Sequence, residues 1–515
     1  NTRLAILKEN ASLTDGKVTI SGPELQYDMN AKIGSYMHGG KLVNGKSVLT
    51  SEEGFYYAET KEMHFQRNVV LVDPDYTLST DALLYNTETK IANIIAPTTI
   101  NEGKRIMYVT SGYYDTGKGY GNFGNRPTIE DSTGTLTADN IEMDKITGLA
   151  YANGNMVYKD TVRKMSLLAN HGTVNQKEKT ILATQKPLLI MERNKDTFYL
   201  AADTLFSGVI RPDDSLSIPS VTGLKKTPVK EPLKAIKTIR PTYNIPTTIS
   251  PANKGDSLAR KQKDSLPGTV MMFMADSALA KTRSKLDTAR VPTVKVAQPP
   301  QIAPRDSLPG IKHHADSIAL NTPKDTADQR YILAYRHVRM FSDSLQGVAD
   351  SVFYSTKDSI FRFFRDPVMW SSNTTQLSAD TMLMYTRNQA ADRILMIKNA
   401  LIINEAGPGM YNQVKGNFIT GYVVGETLEW MHVEGNAETI NYIKDAGGAF
   451  MSVNKAMCAI INIFFKDGDV NKVVLVKDPE GTVYPFTQRP VDQLKLENFH
   501  WDINRKPKSK YALMQ

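Results

Sequence analysis

Five aspartates, Asp81, Asp139, Asp203, Asp350 and Asp380, return at one position of a repeated pattern. Carboxylates are the groups that acid–base or metal chemistry would need. A lyase or hydrolase brings them together as a converging pair in one groove. Here they occur singly, one per copy, as a tag at the start of a strand, so a structural role is the stronger reading. Other reactive candidates are few. His313-His314 belongs to no HExxH or comparable zinc spacing. Cys458 is the single cysteine, which excludes an internal disulfide and a thiolate zinc site. It sits in AMCAIINIFF and reads as a buried apolar thiol rather than a nucleophile. The glycine cluster GKGYGNFG at 117–124 has no strand-to-helix context and no following Lys-Ser/Thr, so it reads as a turn and not a phosphate loop. No catalytic residue, metal site or cofactor is expected.

The elements that would position these residues are legible in STDALLYNTETKIANIIAPTTI, residues 79–100. A strand comes first, TDALLY, in which Asp81, Leu83 and Tyr85 share one face by period-two alternation. A polar reversal follows, NTETK, of types that bend the backbone or accept positive φ. A second strand then runs through a mid-point kink. The grammar recurs with anchors at Tyr27, Tyr57, Tyr85, Tyr114, Met143 and Val174, at intervals of 28 to 31 residues, and again at Tyr354 and Tyr385. A fixed period in this range means stacked supersecondary units. Kinks are predicted at Asn68, Pro97, Asn155 and Asp366-Pro367, where Pro removes a ladder donor and Asn permits a bend. The fold class is therefore all-β: stacked antiparallel strands folded over a corner, in two walls whose apolar faces meet along a seam.

The chain has 515 residues, of which 62 are basic and 54 acidic. Residues 211–330 hold 20 of the basic and 11 of the acidic ones, leaving 42 and 43 elsewhere, so the positive charge belongs to that segment alone. The β zones are neutral, which argues against a nucleic-acid platform. The segment also holds 14 of the 25 prolines and repeats a Asp-Ser-Leu tag (256–258, 264–266, 306–308), with an apolar MMFM at 271–274. Its composition does not offset an ordering cost of about 1–2 kcal/mol per residue. It is expected to be a disordered or loosely held insertion between β zones at 1–210 and 331–515, the second ending in a C-terminal cap. No run of eighteen apolar residues is present, so no helical membrane span is expected. The chain starts part-way through a repeat, without Met or a signal-like segment, which implies an upstream portion removed or left out.

This grammar resembles the OstA-like family of periplasmic lipopolysaccharide-transport proteins, most closely its long Bacteroidetes-type form. The resemblance is carried by GFYYAETKEMHFQRNVVLVDPDYTLSTDALLYNTETKIANIIAPTTI, by LTADNIEMDKITGLAYANGNMVYKD, by VADSVFYSTKDSIFRFFRDPVMWSSNTTQLSADTMLMY and by the ending TVYPFTQRPVDQLKLENFHWD. It covers nearly everything outside 211–330, an insertion that a minimal member lacks. It implies an elongated open β-jellyroll of V-shaped strands, built from ~29-residue repeats, whose apolar groove holds the acyl chains of lipopolysaccharide. It also implies a periplasmic location, reached by export, with association at the outer membrane. The implied partners are the lipid A moiety and other Lpt-type proteins of the inner and outer membrane, joined by edge-strand pairing, with end-to-end self-association. The absence of hundreds of further alternating residues favours the soluble bridge over a barrel-bearing relative.

The residues expected to line the groove are Met63, Phe65, Val69, Leu71, Leu83 and Tyr85, on one parity across two adjacent strands. Ordinary core is the equal alternative for each. Lys and Arg at the rim would meet phosphates, though the sequence does not say which. A rival reading is a closed β-repeat scaffold or adhesin, its interior filled by groups such as Phe65, Leu71, Ile95 and Trp370. A polysaccharide-acting β-repeat enzyme is the weaker rival.

Overall fold

The computed structural model describes residues 3–14, 16–192, 197–211, 328–371, 374–387, 390–424, 427–445, 447–466 and 469–514. Within them antiparallel pairing runs unbroken from Leu4–Thr14 to Glu480–Pro485, and the only helical pieces are four short 3-10 turns after Pro485. No helix among the described residues is long and apolar enough to cross a membrane.

The strand Glu62–Val72 shows how one repeat is built. Its first half pairs with Glu53–Tyr57 (Phe55 opposite His64) and its second with Ser47–Ser51 (Leu49 opposite Leu71). On the other side Thr77–Asn86 pairs with both halves but skips between Gln66 and Val69. At the skip, Arg67 and Asn68 take φ of 61° and 50°. Two successive left-handed residues turn the strand over a corner, so its halves belong to different walls; we call the first wall A and the second wall B. Asn tolerates this conformation because its short polar side chain bonds locally, whereas most L residues lose about 1–2 kcal/mol there.

The same corner recurs at Glu9/Asn10, Gly154/Asn155, Arg336/His337, Lys398/Asn399 and Gly435/Asn436. It also separates consecutive short strands at Asn125/Arg126, Gln185/Lys186, Arg365/Asp366 and Lys477/Asp478. In each of these four the next residue is proline (Pro127, Pro187, Pro367, Pro479), which lacks an N–H just where the second wall begins. The predicted kinks at Asn68, Asn155 and Asp366-Pro367 are such corners. Pro97 also lies between two strands, Ile91–Ile94 and Thr98–Glu102, but without a positive φ before it.

The tips of wall A are short turns stacked in a second ladder. Thr87 N donates to Lys61 O (3.0 Å), Thr116 N to Lys90 O (3.0 Å), Lys145 N to Gly119 O (2.9 Å) and Gln176 N to Gly148 O (2.9 Å). The acceptors all have positive φ and stand 29 residues apart. The repeat length is thus the walk from one left-handed turn residue to the next.

The insertion occupies one of these turns. Thr204–Val209 pairs with the start of Arg330–Phe341 (Leu205 opposite Ala334, Val209 opposite Arg330), and Ile210 N donates to Gln329 O at 2.8 Å. On wall B, Leu200 lies opposite Met340. Both walls therefore continue across the chain interruption. Residues 212–327, with the expected disorder, the Asp-Ser-Leu tags, MMFM and His313-His314, lie outside the described residues.

One core cluster fills the seam from Leu42 to Ile463. Of the bulky groups expected inside, Phe65 and Leu71 are there. Ile95 is 55% exposed. Trp370 is fully buried but sits on the outer side of wall B, since Met369 next to it is the seam residue. Parity decides this: a one-residue shift moves a strand residue to the opposite face.

Two features cover the outer faces. On wall A, Tyr422 and Trp430 stack at 4.2 Å, and the Arg393 guanidinium lies over Tyr385 at 4.0 Å. On wall B the chain after Pro485 forms a strap. Leu494 and Leu496 cover Leu401, Ile403 and Ile440. Gln413 Nε2 donates to Leu494 O (3.0 Å) while its Oε1 accepts from Leu496 N (2.8 Å). Gln376 repeats the clamp on His500 O (2.8 Å) and Asp502 N (2.7 Å). Arg339 ends it by donating to Ala512 O (3.0 Å) and Leu513 O (2.8 Å).

Candidate functional site: the seam and its lip

The six residues expected to line a groove belong to one cluster. Met63 stands opposite Tyr85 and Phe65 opposite Leu83 on wall A. Val69 and Leu71 lie past the corner on wall B, beside Thr80 and Leu78. The corner thus places the residues of a single strand on two facing walls. All six are buried, Tyr85 the most accessible at 9%. In this structure the seam is filled by its own side chains.

The walls are hinged at the corners and meet again at their tips, along a lip. Among the described residues no backbone hydrogen bond crosses that lip; side chains alone close it. Tyr76 from wall B meets Tyr114 from wall A edge-on at 5.6 Å. The Tyr114 hydroxyl donates to Glu102 Oε1 at 3.4 Å. Burial pushes the phenols of Tyr76, Tyr85, Tyr114 and Tyr158 up, so all four are neutral hydrogen-bonding groups at physiological pH. Outside them lie polar latches. Lys145 in a wall A turn pairs with Asp75 in a wall B turn at 3.0 Å. Arg105, held by Glu102 at 3.2 Å, reaches across to Gln176 Oε1. Arg163, paired with Asp160 at 2.9 Å, reaches the backbone carbonyl of Asp328, whose carboxylate takes Lys179 at 2.5 Å. The Lys179 hydrogen bond, then the charges of Lys179 and Arg163, hold the Asp328 carboxyl below its usual value.

Four of the five recurring aspartates are corner clasps; Asp81 is exposed, and the corner residue Asn68 donates to Glu52 instead. Asp139 accepts from Asn155 Nδ2 (2.7 Å) and Arg126 (2.9 Å), and Asp380 from Asn399 Nδ2 (2.9 Å). Asp203 meets His337 (2.8 Å) and Asp350 meets Arg365 (3.3 Å). Each ties a left-handed corner residue to the neighbouring strand, and no two share a corner. The cluster at 117–124 is half turn and half strand, with Asp115 Oδ1 accepting from the N–H of Gly117 (3.0 Å) and Lys118 (2.9 Å). Among the described residues no group of three His, Cys, Asp or Glu is placed to hold a metal ion. Cys458 is buried in the seam cluster, its thiol donating to Ile460 O at 3.1 Å.

The repeat anchors divide. Tyr85, Tyr114, Met143, Val174 and Tyr354 face the seam, but Tyr57 and Tyr385 face outward, against His64 and Arg393. The lip residues were missed altogether, because partners such as Asp75 and Lys145 stand 70 residues apart. The available signal was a charged or amide residue in successive turns, Lys145 and Gln176 on wall A and Asp75 and Arg105 on wall B.

Residues 1–81 match the family described as OstA-like protein. Past the matched OstA-like stretch, the same corners and stacked turns continue to the C-terminal strands. Among solved structures, LptH from Pseudomonas aeruginosa, described as the LptA homologous periplasmic component of the lipopolysaccharide transport device, is similar at 14% identity, over 27% of this chain and 95% of that one, with a TM-score of 0.22. No curated protein matches the chain.

Proposed function

We propose that this chain is a non-catalytic periplasmic bridge that carries lipopolysaccharide between the inner and outer membranes, shielding its acyl chains in the seam. The OstA-like match supports the class of protein. The observation that carries the reading is the asymmetry of the seam: backbone pairing builds both walls, yet only side chains close the lip. Parting the lip leaves every strand pair intact. Acyl chains entering there replace wall-to-wall contact with wall-to-lipid contact, and each methylene withdrawn from water contributes about 0.8 kcal/mol. Met63, Phe65, Val69, Leu71, Leu83 and Tyr85 are then the acyl contacts. Among the described residues Leu4–Thr14 is paired on one side only, as are Asp469–Val476 and Glu480–Pro485, so these edges are the proposed sites for Lpt-type partners and for end-to-end self-association.

A closed scaffold without lipid is the second reading, favoured by the filled seam: Phe65 is 1% exposed and Leu83 0%. Photo-crosslinking separates the two. Benzoylphenylalanine at position 65 or 83 should form adducts with lipopolysaccharide in the envelope, whereas the same group at the outward-facing Val72 should not. Seam positions that yield no lipid adduct would establish the scaffold.

A further inference from the structure

The seam has a gap at one rung. A cavity of about 30 Å³, room for one or two waters, has an apolar floor of Leu167, Ile181, Leu189, Leu205 and Ile332, with Tyr158, Asp160 and Ser207 also in its lining. Arg330 closes it at the lip. The Arg330 side chain is half-buried, and among the described residues its guanidinium donates to neutral acceptors, Ser207 Oγ at 3.3 Å and the Lys179 carbonyl at 3.0 Å. Burial lowers its affinity for the proton. Around it Arg163 pairs with Asp160 and Lys179 with Asp328, so among these described residues three cations share two carboxylates, both of which also act on Arg330, and the rung keeps one positive charge in excess. A half-buried excess of positive charge favours an added anion. This rung is also where the tight wall A turn is replaced by the excursion between Ile210 and Gln329.

We propose that Arg330 is the anion-binding end of a subsite for an anionic amphiphile, its phosphate or carboxylate against the guanidinium and its first methylenes in the cavity. The subsite rests on the carrier reading and adds a fixed register to it: the headgroup is held at this rung while the chains lie in the seam. An Arg fork suits such an oxyanion, and an ammonium would not replace it geometrically.

The test uses the full chain with dodecyl phosphate, dodecanol and inorganic phosphate, measured by native mass spectrometry and calorimetry. Dodecyl phosphate should bind at least ten times more tightly than dodecanol, and inorganic phosphate alone should not bind. Arg330→Gln should abolish that preference and leave dodecanol unchanged, with Arg330→Lys intermediate. Equal binding of dodecyl phosphate and dodecanol to the unsubstituted chain overturns the subsite, even if Arg330→Gln fails to fold. So does an unaltered preference in a folded Arg330→Gln. Binding of inorganic phosphate with the same affinity makes it a free-phosphate site and overturns the amphiphile. Lipopolysaccharide adducts at positions 65 and 83 that persist beside any of these results leave the carrier reading standing and remove only the subsite.

Discussion

If lipid enters through the lip, its latches set a barrier that can be calculated and removed. Lys145–Asp75, which spans the lip, is 40% and 69% exposed. An exposed pair of this kind contributes about 0.2–1 kcal/mol. The Arg105–Gln176 hydrogen bond, charge-assisted but only part-buried, adds about 0.5–1.5 kcal/mol. Together they hold the lip by about 0.7–2.5 kcal/mol, or a factor of roughly 3 to 60 in the fraction open. The double variant Asp75→Asn, Gln176→Ala removes both and leaves the buried Glu102–Arg105 and Asp160–Arg163 pairs in place. It should take up a fluorescent lipopolysaccharide faster by that factor in stopped-flow mixing, with a thermal midpoint close to that of the unsubstituted chain. Salt should accelerate the unsubstituted chain and not the variant, because exposed pairs are screened. The converse variant places cysteines at 75 and 145 and joins them with a bis-maleimide; Cys458, being buried, does not compete. Joined protein should load slowly or not at all. Equal uptake by the unsubstituted, double-variant and joined proteins would refute entry through the lip.

Three further outcomes are expected. At the corner residue Asn155 (φ 43°), stability should fall in the order Asn, Gly, Ala, Val, with Ala costing about 2 kcal/mol from the lost Asp139 bond and the left-handed backbone, as read by urea denaturation. Gln413→Ala leaves Leu494 O and Leu496 N buried and unpaired, a loss of about 2–4 kcal/mol, and hydrogen exchange should show faster exchange at 494–496. The Asp115 carboxyl sits below its usual value: desolvation opposes this, but the Lys118 backbone N–H, the Lys118 side chain and the Gly117 N–H outweigh it. A depressed folded value means a contribution complete above the unfolded pKa of about 4 and lost as pH falls through the folded one. The thermal midpoint should therefore fall below about pH 4, and Asp115→Asn should flatten that decline.

What the sequence disclosed was whatever is encoded locally. The period follows from turn residues such as Lys61, Lys90 and Gly119, and the corner from Asn68 and Asn155 next to their left-handed neighbours. Seam parity at Phe65 and Leu83 follows from simple alternation within one strand. Alternation failed where a corner or register shift lay between aligned copies, which is why Tyr85 faces in and Tyr385 faces out. The strap and the lip depend on meetings at long separation, Gln376 with His500 and Asp75 with Lys145, and no local pattern marks either partner. Trp370 illustrates the same limit, since strong hydrophobicity reports burial but not the side of the sheet.

The excursion at Val209 and Arg330 has a consequence for how the polypeptide can be divided. The 120 residues between these two paired positions begin and end at one rung. Closing so long a loop costs about 3 kcal/mol more than closing a four-residue turn, an amount the six pairs from Thr204–Tyr335 to Val209–Arg330 offset. Neither wall obtains its register from the connecting peptide. Two separately translated chains, one stopping near Ile210 and the other starting near Gln329, carry the complete set of instructions for recognising each other. The position is a natural point of fission, where a gene could be split, or a foreign domain spliced in, without altering anything the strands on either side read.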